Sequence, residues 1–419
     1  MKENSMIAFI LLSWMLVYSS CDTPFGKNRY QGFENAIDIK HIKSLPGKKT
    51  KVLDINIPAS GSMNFDYNKY LQKVYFVKLE TTPESKIHAV DKILLTKDRI
   101  IVVDFNIAKA VYIFNSSGRF IKSIVADKAN AKAMIPVFYD VAYDYELDEI
   151  ILHNQVKAKS YYFDKDGNFK SIAKEYIYFT DFANLGNSKY FVYLNSLGGN
   201  GHIPALSKSA IYIGNKDTRI LYTATDALKG MLTNVNYEIN RNLSIINNNK
   251  NLFYTPEFSD TVYQISGEPV NVFPKLAIHY PGANVNEIIR KSHNKGISEF
   301  IKIKNTDKYY SFEGEVFCND DSVYNIASYK NGLISYFYSA KTNKIIGGTP
   351  VSKLLLTDST QLDGYRYPIT TFNSYFVSIL SISDFFNTKW KSCAKLAEVK
   401  KDIKAGDNPI LAFYKLKDF

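Results

Sequence analysis

The side chains in this sequence that could do chemistry are few and widely separated. Six histidines, His41, His88, His153, His202, His279 and His293, never fall at metal-ligand spacing. If a fold brought distant strands to a common axis, His153, His202 and His279 are the three that could assemble a metal or acid–base site. The stretch "DKDGN", Asp164 to Asn168, begins like a calcium loop but lacks a third acidic position and the distant glutamate that completes one. "GGNG", Gly198 to Gly201, is too short for a dinucleotide fingerprint and lacks its strand-to-helix setting. Asp140, Asp144, Glu146 and Asp148 crowd one turn, which they are expected to solvate. No G-x-S-x-G elbow, H-E-x-x-H or Walker A loop is present. The expectation is therefore no catalytic residue, no metal and no cofactor.

The elements that would position these residues repeat. "VYIFNSSGRFIKSI", Val111 to Ile124, is strand, polar turn, strand, and "SYYFDKDGNFKSI", Ser160 to Ile172, restates it. Around the first copy, apolar runs at Ile93–Leu95, Ile100–Val103, Val111–Phe114 and Phe120–Ile124 are separated by "TKDR", "DFNIAK" and "NSSG", a four-stranded antiparallel meander. Phe114, Phe163, Ile213 and Ile265 mark equivalent third-strand ends at intervals of 49, 50 and 52 residues. That period is a blade length, and two looser units follow, so the fold class is all-β: a six-bladed β-propeller of four-stranded antiparallel blades. "QKVYFVKLE", Gln72 to Glu80, has no hairpin partner of its own and is expected to pair with the last strand, Pro409 to Lys415, so that the two chain ends lock the ring. Helical insertions are expected near 284–304, from "NVNEIIRKSHNKGISEFIKIK", and near 383–404, from a Ser at an N-cap position, helical apolar spacing and Gly406 beyond.

At 419 residues and 46% hydrophobic content the chain can bury a large core. Its net charge of +11 is dispersed along solvated strand faces, which argues against nucleic acid as a partner. "MKENSMIAFILLSWMLVYSSC" has a lysine, an apolar stretch of thirteen residues from Met6 to Tyr18 broken only by Ser13, and then small residues, the layout of a secretory signal. Its "YSSC" end resembles the lipobox of bacterial lipoproteins, which makes Cys21 the lipidation site and the acyl chains a membrane anchor. The expected organisation is a lipoprotein signal peptide over 1–20, a Pro/Gly/Ser/Lys-rich tether over 21–68 and the propeller over 69–419. Only Cys318 and Cys393 then remain, either buried as small apolar side chains or joined in one bridge.

Taken with that start, "VYFVKLETTPESKI", "KILLTKDRIIVVD", "YIFNSSGRFIKSI", "FSDTVYQIS" and "DNPILAFYKLK" resemble the six-bladed β-propeller lipoproteins of Bacteroides-type gut bacteria over about Val74 to Lys417. The resemblance implies the fold and an envelope location, the outer membrane in particular, and no activity. One departure is that "VADKANAKAMIPVFYD" stands where those proteins carry a Gly-rich G-x-G-P-G-E-Y segment. Long blade connections carry a propeller's specificity, so the candidate binding loops are "NSLGGNGHIP", with Asn195, Asn200 and His202, and "YPGANVNE", with Tyr280 and Asn284. The expected function is a lipid-anchored scaffold at the cell envelope that binds an unidentified protein, peptide or glycan. A propeller lyase or hydrolase acting on glycans or peptides is the alternative.

Overall fold

Runs such as "RIIVVD" and "AVYIFN" are apolar at successive positions, so both faces of the strand must be covered. A sheet packed between two others does this. The computed structural model describes residues 27–46, 50–58, 70–126, 137–186, 189–195, 199–206, 208–226, 243–246, 251–256, 260–282, 302, 310–319, 322–329, 332–350, 368–387 and 401–419.

Among the described residues three strands precede the repeats: β1 (Lys43–Ser44), β2 (Leu53–Asn56) and β3 (Leu71–Lys78). Blade 1 is β4 (Lys92–Leu95), β5 (Arg99–Asp104), β6 (Ala110–Asn115) and β7 (Phe120–Val125); blade 2 is β8 (Asp140–Asp144), β9 (Glu149–Asn154), β10 (Lys159–Asp164) and β11 (Phe169–Lys174). Blade 3 is β12 (Phe182–Asn184), β13 (Phe191–Leu194), β14 (Ser209–Gly214) and β15 (Ile220–Asp226), with β1 added in parallel outside β15. Blade 4 is β16 (Leu243–Ile246), β17 (Asn251–Tyr254), β18 (Thr261–Gly267) and β19 (Val270–His279), with β2 parallel outside β19. Blade 5 is β20 (Ser311–Cys318), β21 (Ser322–Tyr329), β22 (Gly332–Ser339) and β23 (Lys344–Pro350). Blade 6 joins β24 (Thr370–Phe372), β25 (Tyr375–Leu380) and β26 (Ile410–Leu416) to β3, in the order β24-β25-β26-β3. The seal is antiparallel, with Ile410 opposite Lys78 and Tyr414 opposite Val74, as the unpaired "QKVYFVKLE" required.

The core is divided into interblade layers. Ile101 and Val103 of β5 point to blade 2 and pack with Val141, Tyr143 and Leu152. Ile100 and Val102 point the other way, against Val377, Leu411 and Phe413 of blade 6, so this layer joins the first repeat to the last. Alternation along a strand thus feeds two neighbours at once. Polar turns fix the register: the Oδ1 atoms of Asn115, Asp164 and Asn215 each accept backbone N–H groups two and four residues on. Gly118, at φ +84, closes the first of these turns where a Cβ would lie 2.0 Å from the Lys78 carbonyl oxygen. Only glycine lets the blade 1 hairpin seat there.

The helical insertions expected near 284–304 and 383–404 are not found among the described residues. Among the described residues no helix reaches seven residues: the α-helix Ile382–Asn387 has six, and Lys401–Lys404 are turn and coil. Residues 283–301, 303–309 and 388–400 lie outside the described residues. At the end of the second stretch helical apolar spacing misleads, because a coil spends its apolar residue equally well. Ile403, in coil, is buried in the layer between blades 5 and 6.

Within the span read as a tether, described residues lie along the ring. Tyr30 packs on Ala158 and Tyr178, Ile37 enters the layer between blades 2 and 3, and Ile55 and Ile57 enter the layer between blades 4 and 5.

Candidate functional site

In each four-stranded meander the innermost strand begins at the same end of the ring as the connection between the second and third strands. This end is the upper rim; the hairpins joining first to second and third to fourth strands form the lower rim. Lys92 opens β4, Asp140 opens β8 and Asp181 immediately precedes β12, so the upper rim brings together side chains from three successive blades. Lys92 Nζ lies 2.7 Å from Asp140 Oδ1 and 3.7 Å from Asp181 Oδ1. Asp140 is buried and fully engaged: Oδ1 also accepts the Val141 N–H at 2.8 Å and Oδ2 accepts the Phe182 N–H at 3.0 Å. It ties three blades together, a role different from solvating its turn. Asp144 and Asp148 of the same sequence cluster do serve that turn, accepting the Glu146 and Leu147 N–H groups and the Tyr143 hydroxyl respectively.

Asp140 and Ser160 both stand opposite His153 in the blade 2 register, so the three share one face of the sheet. His153 Nδ1 is 2.7 Å from Glu175 Oε1, and the Ser160 hydroxyl donates to the same oxygen at 2.6 Å. The imidazole stacks on Phe179 with centroids 3.9 Å apart. Serine, histidine and acid are therefore adjacent, but the serine donates to the acid and all three are buried, so no nucleophile–base pair is formed. His153 Nε2 and Glu175 Oε2 have no hydrogen-bond partner among the described residues.

The residues singled out in the sequence occupy distinct places. Asn200 is buried; its Oδ1 accepts the Tyr178 N–H at 2.7 Å and its Nδ2 donates to the Tyr178 carbonyl at 2.8 Å. Asn195 donates to the Ser209 carbonyl at 2.9 Å and accepts from Asn200 at 3.0 Å. His202 Nε2–H donates to the Tyr176 carbonyl at 2.8 Å, and its ring stacks on Tyr30 at 4.4 Å. Burial lowers its pKa below the usual imidazole value, outweighing the carbonyl's opposite pull, so the ring is neutral near pH 7. Tyr280 is buried and donates to Asn325 Oδ1 at 2.8 Å. Asn284, Cys21 and Cys393 lie outside the described residues; Cys318 is a buried free thiol whose pKa burial pushes up. His279, exposed on β19, sits 2.7 Å from Asp54. His153, His202 and His279 thus commit their rings to different partners, and among the described residues no cluster of three or more His, Cys, Asp or Glu could hold a metal.

The sequence reading missed a set of apolar side chains exposed on the upper rim. Ile107 is 63% exposed between β5 and β6, Val156 55% between β9 and β10, and Tyr139 46% just before β8. Leu333 at the start of β22 and Phe386 beyond β25 add blades 5 and 6. Lys109, Lys157 and Lys159 flank the first group and are solvent-exposed. The signal was present: an aliphatic residue at the tip of "FNIAK" and "QVKA", where a two-strand connection needs only polar or small residues. Two grooves also open at the edge of blade 1. One of about 430 Å³ runs along the seam past Lys78, Glu80, Arg119 and Asp407, and one of about 770 Å³ runs past Glu84, Lys86, His88, Tyr112 and Lys122.

Six four-stranded blades closed by the pairing of the chain's two ends define a six-bladed β-propeller. The chain belongs to the family of the domain of unknown function DUF4934, whose model matches residues 50–415. Among solved structures it is similar to a Bacteroides fragilis protein described as exported, with 15% identity, a TM-score of 0.68, and coverage of 88% of this chain and 100% of that one. A member of the DUF4221 family from Bacteroides vulgatus is similar at 9% identity and a TM-score of 0.46, covering 83% of this chain and 98% of that one. At 15% identity the likeness to the Bacteroides fragilis protein is one of fold. No curated protein matches the chain. No described helix is long and apolar enough to cross a membrane.

Proposed function

We propose that this protein is a binding scaffold of the bacterial envelope, anchored through lipid on Cys21, that takes a protein, peptide or glycan ligand on the upper rim of the ring. The outer membrane is the location that the lipobox-like start and the resemblance favour. The observation that carries the binding reading is the exposed trio Ile107, Tyr139 and Val156, on neighbouring connections of blades 1 and 2. Apolar side chains on adjacent connection tips are surface that a ligand can dehydrate, and the lysines beside them favour an acidic one. An enzyme would draw on Lys92, Asp140 and Asp181, but Asp140 spends both oxygens on fixed donors and serves to tie three blades together.

The test is a peptide and glycan array probed with the chain from residue 22, wild type against Ile107→Asp/Val156→Asp. The expected result is selective binding by the wild type and its loss in the variant at unchanged melting temperature. Equal binding by both proteins would overturn the assignment of the rim.

A further inference from the structure

The N-terminal segment reaches the ring at a particular place. Tyr30 is 3% exposed and stacked on His202, Lys174 Nζ donates to the Gln31 carbonyl at 2.7 Å, Arg219 Nε donates to the Ala36 carbonyl at 3.3 Å, and Ile37 is buried between blades 2 and 3. The strap then continues to β1, where Lys43 pairs with Tyr222 on the outer edge of blade 3. Cys21 stands only six positions before Lys27, the first described residue. Six residues reach at most about 20 Å, whereas a body of about 350 residues is roughly 50 Å across.

From this geometry we infer that the perimeter of blades 2 and 3 is the face held against an anionic lipid surface. The inference rests on the lipid at Cys21 proposed above. The chemistry of the face agrees with it. Ile39, Ile172 and Leu221 are exposed there, and Lys40, Lys43, Lys174 and Arg219 surround them. Three acids, Glu34, Asp38 and Asp217, are exposed along the strap's track, Asp38 lying 2.6 Å from His41. Basic side chains with isolated aliphatic ones between them suit a headgroup layer, where the cations meet phosphate and the aliphatic tips enter the acyl boundary. The arrangement leaves blades 5 and 6 on the far side and the upper rim open sideways to ligand.

The experiment uses the acylated full-length product in vesicles of phosphatidylethanolamine and brominated phosphatidylglycerol. A bimane label is placed at Ile172→Cys on blade 2 or at Lys344→Cys on blade 5, each in a Cys393→Ser background. Mass spectrometry of the same preparations reports whether Cys21 is acylated. Acylated protein with several-fold stronger quenching at 172 than at 344 is the expected result, reduced by Lys40→Glu/Lys43→Glu. Acylated protein quenched equally at both positions would overturn the orientation and leave the anchor standing. Protein without acyl chains on Cys21 would overturn both.

Discussion

The two rims of this ring spend their side chains differently. On the lower rim the side chains serve the fold: Asn115, Asp164 and Asn215 cap their own hairpins, Arg99 and Lys165 bridge blades 1 and 2 through Asp166 and Asp98, and Gly118 is there because the Lys78 carbonyl leaves no room for a side chain. On the upper rim one group, Lys92 with Asp140 and Asp181, binds blades to one another, while another, Ile107, Tyr139 and Val156, leaves about half of each apolar side chain in solvent. A residue that the fold does not use is the more informative about ligands, because stability gives no reason for it.

The largest effect that would test this contrast comes from Lys92. Lys92→Met removes the cation from a buried carboxylate, and breaking such a pair costs about 3 kcal/mol. Denaturant unfolding should show that loss at neutral pH, and a loss below about 1 kcal/mol would mean the three-blade junction is not a stabilising one. Next is Gly118→Ala on the lower rim, where a positive φ and a 2.0 Å approach to backbone coincide. The expected loss is about 2 kcal/mol, against almost none for Gly201→Ala, whose Cβ meets nothing within 4 Å.

Asp260, in the upper-rim connection before β18, sharpens the contrast through pH. Burial raises its pKa from 3.8 to about 6, with His279 pulling the other way. The folded state therefore holds a proton that the unfolded chain gives up, so this group favours folding fully below pH 3.8 and less and less as pH rises to about 6. Asp260→Asn should raise stability above that window by about 1–2 kcal/mol and flatten the pH dependence inside it, in unfolding titrations at a series of pH values. The smallest effect on stability belongs to the exposed tips. Ile107→Asp and Leu147→Asp, one on each rim, should both stay within about 0.5 kcal/mol of wild type. Only the first should weaken ligand binding.

Much of the frame was legible because it obeys a short period. Runs such as Ile100–Val103 must be covered on both faces, and four such runs per repeat admit little but a blade between two blades. The closing strand was legible as a strand left without a hairpin. The strap was not: β1 has two residues and β2 four, added in parallel to finished sheets, and strands that short carry no alternation to read. Nor was the junction of Lys92, Asp140 and Asp181, whose members stand far apart in sequence and meet only because each lies at the start of an innermost strand. The loop residues Asn195 and Asn200 had a binding composition for a different reason. Their amides satisfy the backbone of a long connection that has no ladder to do so.

The most direct test of the contrast between rims is a hydrogen-exchange footprint of the array-selected ligand on the full ring. Slower exchange on binding confined to residues 105–109, 137–139 and 155–158 is the predicted result. Protection appearing instead at the lower-rim turns 116–119, 146–148 and 165–168, with the upper connections unchanged, would contradict it.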